Sequence, residues 1–293
     1  MTIPKRIFYV WGANEPKRID VDLCIKTWKY AMPDYEIIEI NENSTEYFNF
    51  QEELKNNKWF RAVYVRKMYA YISDYVRIKT LYDNGGIYFD TDVTTIKSFD
   101  KFLNEPAFVG LQSDKNIKHD IVEPAILGAE KGNPFIKDVL EFYNTAIWDL
   151  PIYNMPQIFG YCMKKNFGDF PNKPKSKQEI VRYSTISIYP ERYFIPFRYC
   201  ERFVPKCIEE DTHAIHWFGA SWVKPEILAF LGNKHKMPIE EIDNKLERLL
   251  KQTSKNNIFQ FIFSIKNTYD KTEKVVTVLG FKYRYKRKVK TNA

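Results

Sequence analysis

The chain has 293 residues, 44% of them hydrophobic and 16% aromatic, with a formal net charge of +8. That much apolar mass excludes disorder along the whole chain, and the length fits one large domain or one domain with an appendage. Four cysteines with no CxxC pair argue against a disulfide framework or a zinc site and predict reduced thiols in a cytoplasmic protein. No apolar run reaches 18 residues and no h-region follows Met1, so neither a membrane span nor a signal peptide is expected.

Ile7-Phe8-Tyr9-Val10-Trp11, closed by Gly12, predicts a first buried strand. Helical spacing of Val21, Cys24, Ile25 and Trp28 predicts a helix from Asp20 to Ala31, and Glu36 to Ile40 predicts a second strand. A βαβ opening of this kind points to an α/β domain with a largely parallel sheet. Apolar and aromatic residues then recur at three- and four-residue steps from Arg61 to Asn84, and Gly85 fits the position just past a helix end. Ile87 to Phe89, Ala107 to Leu111 and Ala125 to Ala129 read as strands, and Asn133-Pro134 opens a helix through about Asn144. Asn166 to Gln178 reads as a surface loop, and Ile239 to Gln252 as a charged helix. The last dozen residues hold Lys282, Arg284, Lys286, Arg287, Lys288 and Lys290. They suit either a solvated end or an anionic phospholipid surface, while no nucleic-acid signature accompanies them.

The chemistry concentrates in Asp90-Thr91-Asp92, which directly follows a strand. Two Asp at i and i+2 share one side of a strand, and at its fraying end both can reach a divalent cation. Such an ion bridges the phosphates of a nucleoside diphosphate and acts as a Lewis acid on that leaving group. Mg²⁺ and Mn²⁺ both suit oxygen ligands, and an added imidazole favours Mn²⁺. His216 is the candidate imidazole, with a satisfied core histidine as the alternative. Asp74 and Arg77 share a helix face. They are either a surface ion pair or a sugar-hydroxyl acceptor and a phosphate-holding cation. Trp11, at the end of the first strand, sits where ligands of open α/β sheets bind, and either stacks on a base or fills core.

The segment Tyr88 to Thr94 also looks like the first motif of haloacid-dehalogenase-type phosphatases, in which the first Asp is a nucleophile. That family carries the motif near its N-terminus and needs a GDxxxD cluster downstream, which is missing here.

Ile3-Pro4-Lys5-Arg6-Ile7…Trp11-Gly12, with Ser73-Asp74-Tyr75-Val76-Arg77…Asn84-Gly85-Gly86-Ile87-Tyr88-Phe89-Asp90-Thr91-Asp92, resembles the glycosyltransferase family 32 pattern. The likeness extends over residues 3 to about 225. It covers bacterial capsular-polysaccharide sugar transferases, yeast initiating mannosyltransferases and the catalytic signature of the clostridial glucosylating toxins. The resemblance implies a GT-A fold and retaining transfer from a nucleotide sugar with Mn²⁺ or Mg²⁺. It also implies roles. Trp11 stacks on the base, and Asp74 and Arg77 hold the donor sugar and phosphates, with Tyr88 part of the same signature. Asp90 meets the ribose and metal-bound water, Asp92 binds the metal, and Ser221-Trp222 closes near the diphosphate. The His216 segment is similar to the HxxGxxKP metal element of family 8 transferases, except that Lys224-Pro225 comes two residues late. Glu123-Pro124 stands where the family often has Asn, so the sugar and acceptor contacts there are expected to differ; Glu123 is either an acceptor contact or a surface carboxylate, the latter being preferred.

The resulting expectation is a GT-A catalytic domain over residues 1–230 and a helical, basic extension over 231–293. The expected activity moves a hexose, galactose or glucose, from a UDP-sugar to a glycan or lipid-linked oligosaccharide, as in capsular or surface polysaccharide synthesis. The expected place is the cytoplasm, peripheral to the inner membrane face. A toxin-like protein glycosyltransferase is the alternative.

Overall fold

The computed structural model describes residues 2–112, 121–168, 179–197, 201, 203–218 and three strands within 263–286. The chain divides into two compact units, Met1–Lys236 and Met237–Ala293.

The first unit opens as the periodicity predicts. Strand β1 (Arg6–Val10), helix α1 (Ile19–Ala31) and strand β2 (Glu36–Ile40) form a parallel βαβ unit. Helices α2 (Phe50–Asn56), α3 (Lys58–Val65) and α4 (Tyr69–Asn84) lead to strand β3 (Gly86–Phe89), which pairs parallel with β1. Next come β4 (Val93–Thr95), β5 (Ala107–Gln112), β6 (Ile121–Ala129), helices α5 (Pro134–Asn144) and α6 (Met155–Phe167), and strands β7 (Val181–Arg182), β8 (Ser187–Tyr189) and β9 (Ala214–His216).

Seven strands form one sheet in the order β2-β1-β3-β6-β5-β8-β7. β6 and β7 run against the other five, so the sheet is mixed but mostly of one direction. Both faces are covered, so β3 reads Gly-Ile-Tyr-Phe with every residue buried. Phe8 and Tyr88 join the core beneath α2 to α6. Ile7, Tyr9, Ile87 and Phe89, on the alternate face, pack with Trp28 of α1 and with Phe99, Phe102, Phe108 and Phe194. The first unit is the α/β architecture with a largely parallel sheet that the βαβ opening predicts.

Three expectations change. The single helix over Arg61–Asn84 is two. Lys67 takes a left-handed φ of 55°, its N–H bonds to the Tyr64 carbonyl, and the Met68 N–H reaches the Val63 carbonyl. This is a Schellman ending, with Met68 and Val63 in the same core cluster. Glycine usually marks such a stop, so a Lys there gave no signal. Helix α6 persists to Phe167, where a loop was expected from Asn166; residues 169–178 lie outside the described residues. In the extension, the described residues are strands rather than helix. β10 (Phe263–Asn267), β11 (Glu273–Val278) and β12 (Phe281–Lys286) form an antiparallel sheet. The β-branched run Val275-Val276-Thr277-Val278 and the alternation of Tyr283 and Tyr285 with basic residues favour extended backbone. The helix expected over Ile239–Gln252 lies outside the described residues.

The glycine pair after α4 is required by geometry. Gly85 has φ 67° and Gly86 φ 131°. A Cβ on Gly86 would stand 2.8 Å from Phe8 Cε2, and one on Gly85 2.7 Å from the Lys131 nitrogen. The pair turns the chain from α4 directly into β3, so Asp74 and Arg77 come to lie over the strand that delivers Asp90.

Candidate active site

β3 ends at Phe89, and the acidic pair lies on the turn beyond it. The Asp90 N–H bonds to the Ala125 carbonyl at 2.9 Å, and the Val93 N–H to the Asp90 carbonyl at 3.1 Å. β4 then pairs antiparallel with β9, setting Val93 opposite His216, and the Trp217 N–H fixes the Asp92 carbonyl at 3.0 Å. Two segments over a hundred residues apart in sequence therefore converge. Ligand atoms of Asp90, Asp92 and His216 lie within 4.8 Å of one another, with His216 Nε2 3.4 Å from Asp92 Oδ1.

This donor set fits a divalent cation. It offers two carboxylates and an imidazole, and His216 Nδ1 is buried with no hydrogen-bond partner. Burial opposes protonation of His216, but the hydrogen bond and charge of Asp92, with Glu123 and Asp90 beyond, raise its pKa overall. The same negative field attracts a metal ion.

Arg77 sits on the buried side of this triad, 3% exposed. Its Nη2 is 2.6 Å from Asp90 Oδ1 and 3.5 Å from Asp74 Oδ1, and Nη1 donates to the Pro124 carbonyl. Its guanidinium lies 4.4 Å from the Tyr88 ring centroid, a cation–π contact. The Asp74–Arg77 pair is thus no surface ion pair. Burial raises the Asp74 carboxyl to about 7 against the pull of Arg77, with Asp90 and Glu123 adding to the rise. Burial also raises Asp90, again opposed by Arg77.

These groups line one cleft of about 730 Å³. Trp11 stands in its wall, its Nε1 donating to the Glu15 carbonyl at 2.8 Å, and the cleft continues past Tyr69, Glu42 and Arg18. Trp11, Asp74, Arg77, Tyr88, Asp90, Asp92 and His216 all reach this cleft. Ser221 and Trp222 lie outside the described residues.

Glu123 is a correction. Expected at the surface, it lines the cleft. Between Val109 and Gly110 the β5–β6 register slips from Leu127 to Glu123. At this irregularity the Pro124 carbonyl accepts from Arg77, while the Ala125 carbonyl continues the β3–β6 ladder by accepting from Asp90. A proline inside a strand-like run was the available signal, since Pro lacks the N–H a regular ladder uses. Asn154, Met155 and Pro156 at the start of α6, and Gln112 at the end of β5, also line the cleft and carry no motif.

Residues 19–109 match the family model described as "Glycosyltransferase sugar-binding region containing DXD motif". The chain is 32% identical over 139 residues to "Inositol phosphoceramide mannosyltransferase 3" of Schizosaccharomyces pombe, covering 47% of this chain and 36% of that protein. It is 23% identical over 173 residues to "Glucan organizing enzyme 1" of Cryptococcus neoformans var. grubii, covering 50% and 47% respectively. The chain therefore spans less than half the length of these curated relatives. Among solved structures it is similar to "PaToxG Glycosyltransferase", with 19% identity, a TM-score of 0.45, and coverage of 57% of this chain and 70% of that one. The matched region carries the DXD turn and the α4–β3 passage that delivers it, so the likeness to DXD-containing glycosyltransferases falls on the residues that build the cleft.

Proposed function

We propose that this protein is a metal-dependent, retaining glycosyltransferase that moves a hexose, galactose or glucose, from a UDP-sugar to a glycan or lipid-linked oligosaccharide. The observation that carries the reading is the convergence of Asp90, Asp92 and His216 at the end of β3, in a cleft walled by Trp11. In this reading Asp90, Asp92 and His216 hold Mn²⁺ or Mg²⁺, and the imidazole favours Mn²⁺. When bound, that ion neutralises the diphosphate leaving group. Trp11 stacks on the base, and Asp74 takes hydrogen bonds from the donor sugar. Arg77 fixes Asp90 and adds positive potential beside the diphosphate. Tyr88 supports Arg77 from below, and Ser221 and Trp222 are assigned to the diphosphate by family likeness alone.

The catalytic part is assigned to residues 1–230 and the appendage to 231–293. Among the described residues no helix is long and apolar enough to cross a membrane. A place in the cytoplasm, at the inner face of a membrane, with the basic end contacting anionic lipid and the product entering capsular or surface polysaccharide, completes the proposal. Flotation with anionic vesicles, with and without residues 276–293, tests the lipid contact; equal binding of both forms discards it.

Calorimetry with UDP and GDP, with Mn²⁺ and then with chelator, tests the core of the reading. UDP binding that requires the metal is expected, because without a cation the diphosphate would face the carboxylates of Asp90 and Asp92 directly. Metal-independent binding, or none, rejects it. Preference for GDP would shift the donor to a mannose type, in line with the name of the fission-yeast relative. Turnover on protein but not glycan acceptors would favour the toxin-like alternative.

A further inference from the structure

We propose that Glu123 is the specificity-determining carboxylate of the sugar compartment, where it accepts a hydrogen bond from a hydroxyl of the transferred hexose. The inference deepens the function proposed above and rests on it.

The strand order fixes which way the ligand runs. Trp11 follows β1, the acidic pair follows β3, and Glu123 lies near the start of β6, in the spatial order β1-β3-β6. β6 runs antiparallel to β3, so its beginning stands at the sheet edge where β3 ends. A nucleotide with its base at Trp11 and its diphosphate at Asp90, Asp92 and His216 that continues in the same direction carries its sugar beneath Asp74 and toward β6. There the cleft is lined by Glu123, Gln112, Asn154 and Met155.

Glu123 differs from the other carboxylates of the cleft in its partners. Asp90 and Asp74 face Arg77, and Asp92 faces His216. The Glu123 carboxylate accepts from the Ala125 backbone, and His216, Asp90 and Arg77 act on it through space. Glu123 lies at the register slip, next to the Pro124 whose carbonyl accepts from Arg77, and it lines the cleft. A β-bulge beside a site is a device that re-aims a side chain. A carboxylate is an acceptor only, so it rewards an epimer that offers a hydroxyl at the right place. It leaves a buried group unpaired when the epimer does not.

The test uses the full chain with Mn²⁺ and measures hydrolysis of UDP-glucose and UDP-galactose by wild type, Glu123→Gln and Glu123→Ala, together with UDP affinity. Glu123→Ala is expected to lower kcat/KM for the preferred donor by about tenfold or more and to draw the ratio between the epimers toward one. UDP affinity should stay within about twofold, because the nucleotide end of the cleft is untouched. Glu123→Gln, of equal size, should restore the melting temperature and, because its amide oxygen still accepts, keep part of the selectivity that Glu123→Ala loses. If the epimer ratio is unchanged in both variants, or UDP affinity falls in step with turnover, Glu123 is structural and the proposal fails. A wild-type chain that neither binds UDP nor hydrolyses any donor instead overturns the function proposed above.

Discussion

His213 and His216 stand three residues apart beside β9, and their surroundings make them opposite kinds of histidine. His213 faces the aromatic layer, edge-on to Phe102 with ring centroids 4.9 Å apart, and its Nδ1 bonds the Ser98 carbonyl at 2.8 Å. Burial pushes its pKa down to about 4, with Lys101 and Lys97 also lowering it and Asp211 opposing. His216 faces the carboxylates of the cleft, and its pKa rises. An odd spacing along extended chain puts the two rings on opposite faces. One residue type thus serves stability on one face and a metal-competent site on the other.

That contrast can be broken from either side, and the largest effect belongs to the cleft. Asp92→Asn should lower donor turnover by about 10³-fold, roughly 4 kcal/mol, with an unchanged circular dichroism spectrum; full retained activity contradicts the metal site. On the other face, Phe102→Ala should cost about 3–5 kcal/mol of stability. Phe102 is fully buried and packs on Phe99, Phe108, Tyr189, Phe194 and His213. Denaturant midpoints measure that loss, and turnover per folded molecule should stay near wild type.

The two faces also differ in response to acid. His213 is held neutral when folded, so its contribution is whole above the unfolded pKa near 6.5 and is lost as pH falls toward about 4. The unfolded chain binds the extra proton in that window, so stability should fall as the pH is lowered across it. Urea midpoints between pH 4.5 and 7.5 check the slope, which His213→Asn should flatten. The smallest effect is at the cleft's far wall. Trp11→Ala should weaken UDP binding by about tenfold, near 1.4 kcal/mol, with little change in melting temperature, as Trp11 is only half-buried. A large drop in stability would instead return Trp11 to the core.

Sequence patterning alone determined the βαβ opening, the glycine pair and the DXD turn, because each is local. Apolar alternation sets strands, three- and four-residue spacing sets helices, and Gly85-Gly86 marks the turn between α4 and β3. Asp74 and Arg77 were readable as one helix face for the same reason. The break at Lys67 was not, since its stop uses backbone hydrogen bonds and a residue with no glycine-like preference. The strands of the C-terminal unit were missed because charged residues interrupt their alternation. Tertiary structure alone decided that His216 meets Asp92, through the pairing of β4 with β9, and that Arg77 is buried against Asp90. It also brought Glu123 from an expected surface into the cleft through a register slip between β5 and β6. These are contacts across long sequence separations, fixed by sheet order and register, and no local pattern of side chains encodes them.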